Sequence, residues 1–108
     1  MYTKNIQVSD IKHKTQINWQ PYLKQIRNQA KANWKPNKSN KSYQIFVQFS
    51  LNKDNKILNK NIIKSSNNNE ADNTVLKSID NGAPYPKFSE KYKEDNIPIE
   101  LTFDYFVL

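Results

Sequence analysis

The stretch Lys64–Leu76, "KSSNNNEADNTVL", sets five polar residues, Ser65 to Asn69, between an apolar pair (Ile62, Ile63) and a segment with helical spacing. A chain that leaves a strand must turn there and start a helix. Asn is the non-glycine residue best suited to left-handed backbone, which predicts positive φ at Asn67. Asn68 or Asn69 then caps the free N–H groups of the next helix. Glu70 and Asp72 fall in its first turn, where the helix dipole favours anions. Ala71, Val75, Leu76 and Ile79 supply the apolar stripe, and Gly82 is placed to end the helix in a left-handed cap. Gly82 is the only glycine of the chain, so asparagine carries the turns elsewhere.

Upstream, "SYQIFVQFSLN" alternates: Tyr43, Ile45, Val47, Phe49 and Leu51 against Gln44, Gln48 and Ser50, with Phe46 the one large residue on the other face. That is a half-buried strand. "ILNKNIIKSS" is a second, less regular strand, and Asp54-Asn55 between the two makes a hairpin with positive φ at Asn55. Before them, "QPYLKQIRNQAKANWKP" reads as a helix with Asn18 as cap, Pro21 in its first turn and Pro36 as its stop. Tyr22, Leu23, Ile26, Ala30 and Trp34 make its buried stripe. Downstream, Pro84 and Pro86 force "APYPKF" into an extended path. "IPIELTFDYFVL" then alternates from Ile97 to Val107, the clearest strand of the chain.

The order is helix, strand, strand, helix, strand. The fold class expected is α+β: a three-stranded antiparallel sheet in the order 2-1-3 with both helices on one face. Residues 1–18 are weakly patterned and read as a lead-in, with a short extended piece around Val8; residues 19–108 form the domain.

At 108 residues the chain is one domain with room for a modest core. The absence of cysteine excludes disulfides and thiolate metal sites. No run approaches the roughly 18 apolar residues of a membrane span, and the first residues lack a signal-peptide core. The formal charge of +7 suggests a polyanion. However, sixteen of the seventeen cations are Lys and only Arg27 is Arg, whereas nucleic-acid readers lean on Arg forks. Lys, Asn and Ile all have A/T-rich codons, so genome composition accounts for the charge. No nucleic-acid partner is expected; tight, steeply salt-dependent DNA binding would favour that rival reading.

The run "IIKSSNNNEADNTVLKSIDNGAPYPKF" resembles the C-terminal domain of the TonB and TolA energy-transducing proteins. The matching features are two serines after the second strand (Ser65, Ser66), an aspartate in the next helix (Asp72) and a proline-aromatic-proline segment (Pro84, Tyr85, Pro86). Trp34 and Pro36, the strand "VQFSLNKD" and the strand "IELTFDY" also match. Asn55 and Asn67 stand where that family usually has glycine, and Ala71 where a larger apolar residue is common. The resemblance covers residues 19–108 and is TonB-like rather than TolA-like by preference. It implies the periplasmic domain of a bacterial protein anchored in the inner membrane. Its partner would be a peptide or strand of an outer-membrane transporter or periplasmic envelope protein. A missing N-terminal part would join it to a proton-driven inner-membrane complex. A TolA-like role in envelope integrity is the alternative.

No enzyme and no cofactor are expected. His13, the only histidine, lies in the lead-in, and the common nucleophile and zinc constellations cannot be assembled without Cys or a second His. Ser65, Ser66, Asn55, Asn67, Asp72, Gly82, Pro84 and Pro86 read as turn and cap residues. Tyr85 and Phe88 read as packing over the sheet. In the 2-1-3 order the last strand lies at an edge with no Lys between Ile97 and Leu108, whereas the other edge carries Lys60 and Lys64, which blunt pairing. Ile99, Glu100, Leu101, Thr102, Phe103, Asp104 and Tyr105 are therefore the expected partner-binding edge. The alternatives are cover by the lead-in or by a second copy in a weak homodimer.

Overall fold

The two periodicities resolve into six elements in a computed structural model of the chain, which describes residues 1–11 and 17–108. They are β1 (Tyr2–Val8), α1 (Gln20–Ala32), β2 (Tyr43–Asn52), β3 (Ile57–Lys64), α2 (Asn69–Gly82) and β4 (Asn96–Val107). The α+β class and the antiparallel sheet hold. The sheet has four strands rather than three, in the order β1-β4-β2-β3. The fourth comes from the lead-in: β1 pairs antiparallel with β4 from Tyr2↔Val107 to Val8↔Leu101. β4 in turn pairs with β2 from Tyr43↔Tyr105 to Asn52↔Asn96, so it lies inside the sheet.

Alternation decides which side chains meet the helices. Ile45, Val47, Phe49 and Leu51 of β2 and Ile97, Ile99, Leu101, Phe103 and Tyr105 of β4 are buried, together with Leu23, Ile26 and Ala30 of α1 and Val75 and Ile79 of α2. Trp34 closes this core, its ring edge-on to Phe103 at 5.0 Å. α1 stops at Ala32, earlier than Pro36. Asn33 caps it, its side chain donating to Gln29 O at 2.8 Å, and the chain then turns Trp34 inward.

The irregular pattern of β3 has a cause. Its pairing with β2 is interrupted between Phe46 and Val47 and between Gln48 and Ser50, and Asn59 takes positive φ (54°) at the second irregularity. Asn55 (62°) and Asn67 (66°) are the other non-glycine residues with positive φ among those described.

Gly82 departs from its expected role. No glycine has positive φ; Gly82 is the last residue of α2, and the cap after it, Ala83, is extended (φ −68°, ψ 154°). Glycine is needed there for space. A Cβ would stand 2.5 Å from the Tyr85 hydroxyl and 3.2 Å from Gln29 O.

Candidate functional site

The corner between β3 and α2 is built from the opening polar knot. Ser65 Oγ donates to Asp72 Oδ2 at 2.5 Å, and the hydroxyl and N–H of Ser66 donate to Asp72 Oδ1 at 2.7 and 3.0 Å. Burial pushes the Asp72 carboxyl up, but these three hydrogen bonds outweigh it and hold the group below its usual range. Asn68 Oδ1 accepts from the N–H groups of Glu70 and Ala71, satisfying two of the helix's free donors. Pro84, joined to Ala83 by a cis peptide bond, and Gly82 each present a carbonyl to Gln29 Nε2 at 2.9 and 2.8 Å. That side chain ties α1 to the end of α2. Tyr85 is buried and donates to Ile79 O at 2.7 Å. These residues fix architecture.

β4 is where backbone chemistry is offered sideways. Residues of an antiparallel strand point their N–H and C=O groups alternately to one neighbour and the other. Glu100 O accepts from Ser9 N–H at 3.1 Å, and Leu108 N–H donates to Met1 O at 3.0 Å. The even-numbered residues Glu100, Thr102 and Asp104 therefore face β1, and the odd-numbered ones face β2. The side chains of Ile99, Leu101, Phe103 and Tyr105 are buried against the helices. The expected open edge is thus occupied: β1 fills the lane beside residues 101–107, because Ile6 finds an apolar slot over the sheet. Pro98 lies on the same side, past the end of β1, where its missing N–H leaves no donor exposed. The other boundary strand is β3, whose Lys60 pairs with Asp80 of α2 at 2.6 Å.

β1 is held by few side chains. Ile6 is its one buried residue. Tyr2 stacks on Tyr105 at 4.5 Å, and Tyr105 stacks on Tyr43 at 4.8 Å, so one tyrosine from each of three strands joins a pile. Burial, followed by the neighbouring Tyr105, Tyr2 and Asp72, pushes the Tyr43 hydroxyl up to about 12. Lys4 Nζ donates to Trp34 O at 2.5 Å. Burial, then Lys31 and Lys35, lower its pKa. On the opposite face Gln7 Nε2 donates to Asp104 Oδ2, and Gln44 Nε2 to Asp104 Oδ1, both at 2.7 Å. Asp104 is only 2% exposed. Its charge is buried, and two amides from two strands satisfy it.

Tyr2, Lys4, Ile6 and Gln7 escape a reading by pattern, because a seven-residue strand with two aliphatic residues is too short to stand out. Among the described residues no group of three or more His, Cys, Asp and Glu could hold a metal; His13 lies outside them.

The whole is a small two-layer α+β domain in which β1 pairs along one side of β4. The chain belongs to the TonB C-terminal family: the model described as "TonB C terminal" matches residues 19–103. Domains of that family are non-enzymatic, periplasmic parts of membrane-anchored energy transducers and interact with outer-membrane proteins. The comparisons with curated proteins and with solved structures returned no match. β1 lies outside the matched residues. No described helix is long and apolar enough to cross a membrane.

Proposed function

We propose that this domain grips an extended segment of an outer-membrane transporter by antiparallel addition to β4 along Ile99–Tyr105, and so couples an inner-membrane energy source to that partner. The observation that carries the reading is the side of β4 bearing the N–H and C=O groups of Glu100, Thr102 and Asp104. The strand beside it, β1, stands outside the family match and buries one side chain. A partner strand in this lane takes over hydrogen bonds that β1 already makes. Each bond contributes about 0.5–1.5 kcal/mol net, and in an exchange most of that cancels. Affinity then rests on side chains and is micromolar or weaker once association costs are included. Such a grip suits a partner that must be released. Backbone pairing is tolerant of sequence, so the side chains on either face set the choice of partner.

The test uses short synthetic peptides from periplasm-facing segments of outer-membrane transporters of the same organism, titrated by calorimetry. Thr102→Pro removes an N–H that faces the lane, whereas Thr102→Ala keeps it. Both are made in an Ile6→Glu background, where a weakened β1 no longer offsets the lost rung by losing it as well. With both folded by circular dichroism, the Pro variant should lose at least ten-fold in affinity and the Ala variant little. Equal binding by the two would exclude strand addition to β4.

A further inference from the structure

We infer that β1 is an internal stand-in for the partner strand: it occupies the binding lane in the unbound protein, and its own sequence describes the ligand that displaces it. The inference rests on the reading of β4 as the binding strand, and it specifies both the ligand and the regulation of that site.

Three observations separate β1 from a permanent part of the core. It contributes one buried residue, against four from β2 (Ile45, Val47, Phe49, Leu51). It lies outside the residues that match the family, which already include both helices and β2, β3 and most of β4. It is joined to α1 through residues 9–19. Trp19 is buried and Ile17 packs against the core. With both held and Ile11 released, residues 9–16 still reach up to about 26 Å when extended, enough for β1 to leave the lane without unfolding α1.

The lane's contacts define what a displacing strand must carry. At the Ile6 position it needs an aliphatic side chain, since that slot is closed to water (Ile6 is 1% exposed). Four residues earlier, at the Tyr2 position, it needs an aromatic ring to stack on Tyr105. Between them, at the Lys4 position, a long side chain ending in a donor reaches Trp34 O. One residue after the aliphatic position, at Gln7, it needs a donor for Asp104, since without one that carboxylate keeps only Gln44 inside the protein. An acidic residue there meets Asp104 as a like charge and is rejected. The ligand is therefore an extended segment of the pattern aromatic-x-donor-x-aliphatic-amide, running antiparallel to β4.

An occupied lane has a quantitative consequence. A tethered strand competes at an effective concentration in the millimolar range, and the apparent affinity for a free strand falls by the fraction of molecules whose lane is empty. Weakening β1 should tighten binding, and fixing it in place should abolish binding.

The probe is a synthetic fluorescent peptide of residues 1–10, MYTKNIQVSD, titrated into the full chain. Its use makes the outcome independent of any transporter: peptide exchange that succeeds while transporter segments fail to bind leaves the lane intact and removes only the functional reading. In the Ile6→Glu chain the peptide should bind at least ten-fold tighter than in wild type. A peptide carrying the same Ile6→Glu change, or Gln7→Glu, should bind at least ten-fold more weakly than the unchanged peptide. The second variant pairs Thr3→Cys with Phe106→Cys. These residues are register partners, both exposed, in a chain without other cysteines. Oxidised, this protein should not bind the peptide, and reductant should restore wild-type binding. Binding by the oxidised form, or no gain in a folded Ile6→Glu chain, overturns the inference. If Ile6→Glu proves unfolded, the oxidised and reduced forms of the cysteine pair decide alone. Opening of β1 accompanied by a concentration-dependent dimer makes a second copy the occupant, and overturns it as well.

Discussion

Replacing Gly82 with alanine sets two structural effects against each other. Inside a helix, alanine is favoured over glycine by about 0.8–1.0 kcal/mol, and since Gly82 has no positive φ, no backbone strain opposes the change. Packing opposes it. The new Cβ would meet the Tyr85 hydroxyl at 2.5 Å, a ring carbon of Tyr85 at 3.1 Å and Gln29 O at 3.2 Å. The tyrosine must move, and its bond to Ile79 O, now 2.7 Å, lengthens or breaks in a buried site. Overpacking costs about 1–3 kcal/mol, and a buried polar group left unpaired costs a further 1–3 kcal/mol or so. After the helix term is subtracted, Gly82→Ala should destabilise the domain by about 1–5 kcal/mol in urea unfolding at constant m. Gly82→Asn should be worse still, although asparagine would be the tolerated substitute at a left-handed position. The phenol can be isolated with a double-mutant cycle. In a Tyr85→Phe background the atom at 2.5 Å is gone, so Gly82→Ala should cost less there, with a remainder from Gln29 O and the ring carbon at 3.1 Å. A stabilised Gly82→Ala protein, or an equal cost in both backgrounds, would refute the close-approach argument.

Three other expectations concern the frame around the site. Trp34→Ala removes a fully buried ring that meets Phe103 edge-on and should cost about 3–5 kcal/mol in the same unfolding assay. Asn55→Gly and Asn67→Gly relieve left-handed strain at φ 62° and 66° and should be neutral or stabilising by up to about 1 kcal/mol, read as a change in denaturation midpoint. Because its folded-state pKa lies below the ordinary 3.8, Asp72 adds stability that is complete above the unfolded value and is lost as pH falls through the folded one. Melting temperatures of wild type and Asp72→Asn should therefore differ by a constant amount above about pH 5 and converge in more acid solution.

The α+β class, both helices and the β2–β3 hairpin are legible because their side chains follow one period over ten or so residues and end at residues with a stereochemical reason to stop. β1 is legible only in part: an extended piece around Val8 and cover of the last strand by the lead-in are within reach of the sequence, but the strand's extent and register are not, because their evidence lies in its partner. Tyr2, Lys4, Ile6 and Val8 mean little until β4 supplies a lane, a ring and an apolar slot. Asn59 belongs to the same class of failure: its positive φ follows from a mismatch between two strands, which neither strand shows alone. Gly82 failed differently. The end of a helix is a common place for a left-handed glycine, and only the position of Tyr85 reveals that volume, not conformation, excludes a side chain. The side of β4 proposed to bind is half legible. Alternation in "IPIELTFDYFVL" identifies which side chains face out, but whether the flanking lane is empty is a property of the assembled sheet.

β4 runs for twelve residues, about 40 Å at 3.3 Å per residue, nearly the whole 45 Å length of the molecule. A strand lying against it is aligned with the long axis of the domain, which makes its hold anisotropic. Tension along that axis loads every rung of the ladder at once, and the rungs must shear together before anything slips. Tension across the axis concentrates on the terminal rung, and the ladder unzips one bond at a time under a much smaller force. The same few weak hydrogen bonds thus act as a rope clamp in one direction and a zip fastener in the other.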